Sequence, residues 1–145
     1  MSSVVVRTEV LAAVKALATS YKVIDYSEVA PDPIPDNQTD TFIIVQFVGG
    51  TDEMIDIGGE GNQGWEEIGT VMLHLLAPTG FSSVPTLALG ETIRTGLRGR
   101  RLGKNKDVVI EAVEPWTDVA GAAIRVQGPW HGFVSNLEYT RYVCG

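Results

Sequence analysis

An α+β fold is what this sequence predicts: a single domain with a mostly antiparallel, mixed sheet of about four to five strands packed with two helices. Three observations carry that expectation. Two stretches, 4–19 and 82–98, repeat apolar residues at helical spacing. One run, Ile68 to Ala77, is apolar on both of its alternating faces. The other apolar runs are short, rich in β-branched and aromatic residues, and divided by Gly- and Pro-bearing connections.

Taken in order, residues 4–19 place Val6, Val10, Val14 and Leu17 in one stripe, leaving Arg7, Glu9 and Lys15 for the outside. YKVIDYSEVAPDPIPDNQTD follows, with Pro31, Pro33 and Pro35 at alternate positions among acids, which neither a helix nor a central strand tolerates. This predicts an extended, acidic, Pro-rich loop over about 27–41. FIIVQF (42–47) is a short strand ending at Gly49-Gly50, and a Gly-rich loop is expected over about 49–64. From Ile68 to Ala77, Val71, Leu73 and Leu75 share one face and Met72, His74 and Leu76 the other. That pattern predicts a central strand stopped by Pro78, although a short apolar run also fits a buried helix segment. The second helix has Ser82 or Ser83 to cap it, Pro85 for its first turn, a Leu89–Ile93–Leu97 stripe and Gly99 to end it. RGRRLGKNK (98–106) reads as a basic turn and DVVIEAVEP as a strand. AAIRVQGPWHGFVSNLEYTRYV reads as two strands, or as one interrupted at Gly128-Pro129, with a bulge expected near His131.

Composition narrows the function classes. The 145 residues are 44% hydrophobic and 20% charged, ordinary for a globular protein. The longest apolar runs are too short to span a bilayer, and the opening MSSVVVRTEVLAAVKALA is not expected to be a signal peptide. Cys144 is the single cysteine, so no internal disulfide forms. The net charge of −7 is divided unevenly: residues 1–67 hold 12 acids against 3 bases, and residues 68–145 hold 6 acids against 8 bases. Such polarity suits a subunit that orients against copies or neighbours, or simply keeps acidic loops soluble.

One motif invites a chemical reading. GGEGNQG contains G-x-G-x-x-G at Gly59, Gly61 and Gly64. A dinucleotide site needs a strand leading in, a helix leading out and an acid about 20 residues on. Here a strand is expected to follow, and the residue 20 past Gly64 is Val84. A loop or hairpin is the better reading. The two histidines, His74 inside an apolar strand and His131 beside Trp130, have no metal-ligand spacing with each other or with Cys144. No nucleophile elbow and no paired carboxylates emerge, Glu66 and Glu67 being adjacent and therefore on opposite faces of a strand. No catalytic, cofactor-binding or metal residue is assigned, and the chain is not expected to be an enzyme.

What remains are candidate contacts. Arg98, Arg100, Arg101, Lys104 and Lys106 crowd into nine residues without aromatic stacking partners. They fit a solvated turn, a contact with an acidic protein neighbour, or weak phosphate contact. Trp65, Trp116 and Trp130 each adjoin turn residues, as a core lid or an interface anchor would. Glu60 lies within the Gly-rich loop and Glu66 just after it, and the span 50–64 is a candidate for a protruding contact.

The layout from 65 to 143 resembles the tail terminator (tail-completion) proteins of long-tailed bacteriophages. The features that carry this are a Trp-led apolar strand ending in LLAPTG, the helix LALGETIRTGLRG, a basic turn, VVIEAVEPWTD, and a last strand with Tyr139 and Tyr142. The resemblance implies a ring-forming α+β subunit, a hexamer that caps the tail tube and gives the head-completion (stopper) or neck complex its docking surface. It also implies the major tail-tube protein as a partner, DNA passing through the lumen without sequence-specific binding, and no membrane. Its place would be the virion tail or neck, reached from the host cytoplasm during assembly. A head–tail adaptor, a tail-tube subunit and, from another class, a small-ligand-binding α+β domain are the alternatives.

Overall fold

Ser3 opens the first helix. In this computed structural model, which describes residues 3–26, 40–56, 64–78, 83–118 and 130–144, its backbone is extended and its side-chain oxygen accepts from the Val6 N–H, one of the donors a helix start leaves unpaired. Helix α1 (Val4–Leu17) buries Val6, Val10, Ala13 and Val14. Leu17, expected in that stripe, is half-buried, packing against the same core and meeting the second helix. Helix α2 (Val84–Leu97) buries Thr86, Leu89, Gly90, Ile93 and Leu97, with Pro85 in its first turn. Ser83 precedes it without a side-chain capping bond, and Ser82 lies outside the described residues. The helices touch where Gly96 meets Leu17: a Cβ on Gly96 would stand 2.5 Å from Leu17 Cδ2, so a larger residue there would make the Leu17 side chain shift. Gly99, at φ +73, turns the chain out of α2.

Among the described residues, seven strands form one mixed sheet: β1 (Lys22–Asp25), β2 (Phe42–Asp56), β3 (Gly64–Pro78), β4 (Arg101–Leu102), β5 (Val108–Val113), β6 (Thr117–Asp118) and β7 (Trp130–Cys144). Their order is β1-β2-β3-β7-β5-β4, with β6 beside β7. Only β1–β2 is parallel. The sheet curls into a half-barrel.

Burial follows from alternation. On the face toward the helices, Ile43, Val45, Val71, Leu73, Leu75, Ile110, Leu137 and Tyr139 join the helix stripes in the main core. On the opposite face, Ile24, Phe42, Ile44 and Leu76 form a second cluster against Tyr26 and Trp130. Strand β3 lies between β2 and β7 and contributes to both, as its two-sided apolar run predicts.

Several expectations need correction. Seven strands replace four or five. Residues 22–25, read as the start of a loop, form the parallel edge strand β1. The Gly-rich loop does not begin at 49, because β2 runs through Gly49 and Gly50 to Asp56. Residues 57–63, with Glu60, Gly59 and Gly61, lie outside the described residues, as do 27–39 of the Pro-rich loop and 119–129. The basic turn contains a short strand, β4, paired with β5. No bulge lies at His131, which pairs with Ala77 in an unbroken β3–β7 register.

Candidate functional site

Two interruptions of the sheet fall on one transverse line. Strand β2 has an extra residue between Phe47 and Gly49, opposite Val71 and Thr70. Strand β5 has one between Ile110 and Ala112, opposite Tyr139 and Glu138. Since Thr70 pairs with Glu138, the bulged Val48 and Glu111 stand in the same row on either side of β3 and β7. A bulge bends its strand and increases local twist, so two in one row curl the sheet across its width. They flank an open groove of about 630 Å³ lined by Val48, Thr51, Ile68, Thr70, Glu111, Glu138 and Thr140, with backbone of Gly49, Gly50 and Gly69. Val48, Ile68 and the nearby Tyr142 leave 56%, 45% and 49% of their surface exposed. Isolated exposed apolar residues are common, but three on one uncovered sheet face form a patch.

Behind the groove, a polar network ties the bend to α1. Tyr139 lies over Gly50 and Gly69: a Cβ on Gly69 would meet the Tyr139 hydroxyl at 2.4 Å and the Gly49 carbonyl at 2.6 Å. The hydroxyl donates to buried Glu67 Oε2 at 2.9 Å, which also accepts a long bond from Ser3. Arg141 donates to Asp107 Oδ2 at 3.1 Å and reaches Ser3 Oγ at 3.5 Å. The Ser3 hydroxyl is thus both helix cap and lattice point, and burial of Glu67 is offset by the phenol.

The predicted contact residues fall in three places. Arg98, Arg100, Arg101, Lys104 and Lys106 are all exposed around β4, and none makes an ion pair among the described residues. Trp65 and Glu66 lie at the start of β3; Trp65 is exposed and Glu66 half-buried. Trp116 and Trp130 act as lids. Trp116 packs on the main core against Gly90, its indole N–H buried and without a hydrogen-bond partner among the described residues, and Trp130 meets Phe42 edge-on at 5.1 Å. The bases and Trp65 are therefore not brought together with the other tryptophans. Val48, Glu111 and Glu138 escaped the sequence reading because only strand register assembles them.

The histidines are structural in position. His74 is 3% exposed on the face away from the helices, with Nε2 3.0 Å from Gln46 Oε1. Burial lowers its pKa from 6.5 to about 4, so the ring is neutral at pH 7. His131 pairs with Asp118 at 3.2 Å and meets Phe133 edge-on. Strand β3 follows Gly64 directly, so no helix N-terminus receives a pyrophosphate at the glycine motif. Among the described residues no three His, Cys, Asp or Glu side chains gather to hold a metal ion, and no helix is long and apolar enough to cross a membrane.

No family profile matches the chain, and no curated protein matches it. Solved structures are similar at low identity, two of them as follows. One, carrying a sequence label and no functional description, has a TM-score of 0.58 at 11% identity and covers 94% of this chain and 90% of its own. The other, from the virion of a native gene transfer agent (GTA) particle, has a TM-score of 0.47 at 14% identity and covers 99% of this chain and 100% of that chain. The first likeness is one of fold. It holds over nearly the whole chain.

Proposed function

We propose that this chain is a structural subunit of a phage-like virion, a tail terminator that assembles as a hexameric ring, caps the tail tube and gives the head-completion or neck complex its docking surface. The observation that carries this reading is the surface of the sheet. Beyond Val45, β2 has no strand on its outer side among the described residues, and the adjoining face leaves Val48, Ile68 and Tyr142 exposed. Long open edges and uncovered apolar faces are features an isolated domain normally suppresses, and a subunit that completes itself against neighbours uses them. The sequence layout around Leu89, Ile93, Leu97, Pro115, Tyr139 and Tyr142 supports the same class. The reading assigns the protein no chemistry, with the tail-tube protein and the stopper as partners.

A tail-tube subunit or head–tail adaptor is the second reading, favoured by the same open β2 edge. Native mass by light scattering across a concentration series, with images of the same fractions, separates these. Six copies of 15.6 kDa give a closed ring of about 94 kDa. One ring with a hole is the expected result, and long cylinders indicate a tube subunit. A chain that stays monomeric alone and on added tail tubes overturns the ring. A monomer that takes up a small ligand in the groove establishes a binding domain instead.

A further inference from the structure

We propose that copies of this chain join head to tail, the basic segment 98–106 of one copy seating on the outer β2 margin of the next. This rests on the ring reading above and specifies the contact within it.

The two surfaces lie at opposite margins of one row. Thr51, Ile68, Thr140, Val109 and Arg101 are successive cross-strand partners from β2 to β4. At the β2 margin, Asp52 stands opposite Glu67 and Glu53 opposite Glu66. Like charges directly opposite destabilise a strand pair, and Asp52 and Glu53 are exposed with no cation within ion-pair distance among the described residues. At the β4 margin, the five cations from Arg98 to Lys106 likewise make no ion pair among the described residues. Four strand spacings separate the margins, about 19 Å along the sheet, and curling to a half-barrel shortens the straight gap to about two-thirds of that. That exceeds the Debye length of about 8 Å at physiological salt. The two sets therefore cannot neutralise each other within one copy, and between copies they can. The seat is also apolar: Ile68, opposite Thr51 beside the acids, and Val48 farther along β2 are exposed and offer a surface for arginine stems while the guanidinium groups reach the carboxylates. Two unlike, complementary patches on opposite margins define a heterologous contact, the kind that closes into rings.

Charge reversal on each side tests this. One variant carries Asp52→Lys and Glu53→Lys, the other Arg98→Glu, Arg100→Glu and Arg101→Glu. All five positions are exposed, and thermal melting checks that each variant folds. Each alone is expected to raise the concentration needed for assembly about tenfold or more. An equal mixture is expected to restore assembly, because the reversed margins then match. Wild-type assembly is also expected to weaken from about 50 to about 500 mM salt, which decides the matter should one variant fail to fold. Folded variants that assemble like the wild type, or a mixture that stays dissociated, overturn this contact and leave the ring standing. If the arginine variant loses only retention on DNA, its native mass unchanged, the basic segment is a nucleic-acid contact and the proposal falls. A wild-type chain that never assembles overturns ring and contact together.

Discussion

Tyr139 shows how single residues set the shape of this sheet. Its ring occupies the space above Gly50 and Gly69, so a methyl group at 69 collides with both the phenol and the fixed Gly49 carbonyl. Gly69→Ala is expected to cost about 1–3 kcal/mol in urea unfolding. Gly132→Ala is the control: the nearest atom, Leu76 Cδ2, stands at an ordinary 3.5 Å, and the outcome should be neutral to about 1 kcal/mol stabilising. Equal losses at both sites refute the account of the Tyr139 contact. His74 supplies a pH dependence. Its folded pKa of about 4 lies below the ordinary histidine value of 6.5, so between those values the unfolded chain binds a proton that the folded chain excludes. Its contribution is fully present above pH 6.5, falls as pH drops, and is exhausted near pH 4, amounting to about 3 kcal/mol at most. Urea midpoints measured over this window should fall more steeply for the wild type than for His74→Gln. Parallel curves would mean that His74 takes up its proton in the folded state.

At the scale of elements, the helices and the central strand were legible because their signals are local. The Leu89–Ile93–Leu97 stripe has helical period, and residues 71–76 are apolar on both faces wherever they pair. Strand β1 was missed because KVID is only four residues long and runs into a Pro-rich acidic stretch. The continuation of β2 was missed because Gly49-Gly50 reads as a turn, whereas Gly50 and Gly69 are paired where Tyr139 requires space. That requirement comes from a residue nearly ninety positions away. The five cations of 98–106 were legible as a run, but the groove was not, since β2, β3, β5 and β7 assemble it only through register. The β2 bulge offers a test at this scale. Deleting Val48 lets Phe47 run directly into Gly49 while the pairings Phe47–Val71 and Gly49–Thr70 both survive. The expected outcome is a folded chain with a cooperative melt, a flatter sheet with a changed groove and weakened assembly. A deletion variant that folds and assembles like the wild type separates the bulge from assembly.

For the whole molecule, two described sets of charge stand apart: Asp52 and Glu53 at the β2 margin and the five bases of 98–106 at the β4 margin, with the sheet between. A ring built through those margins uses up both in its own closure, leaving its two flat sides to meet other partners. This separates a terminator from a tube subunit by stoichiometry. A tube subunit adds to growing cylinders in proportion to their length, whereas a cap acts only at their ends. Added to polymerising tail-tube protein, the chain is therefore expected to arrest elongation at roughly one ring per tube end, far below the amount of tube protein present. Length distributions from electron micrographs, taken over a dilution series of the chain, read this directly. Arrest that requires equal amounts of the two proteins indicates capture of free tube subunits. Cylinders that lengthen with added chain show copolymerisation, and the terminator reading is then replaced by that of a tube subunit.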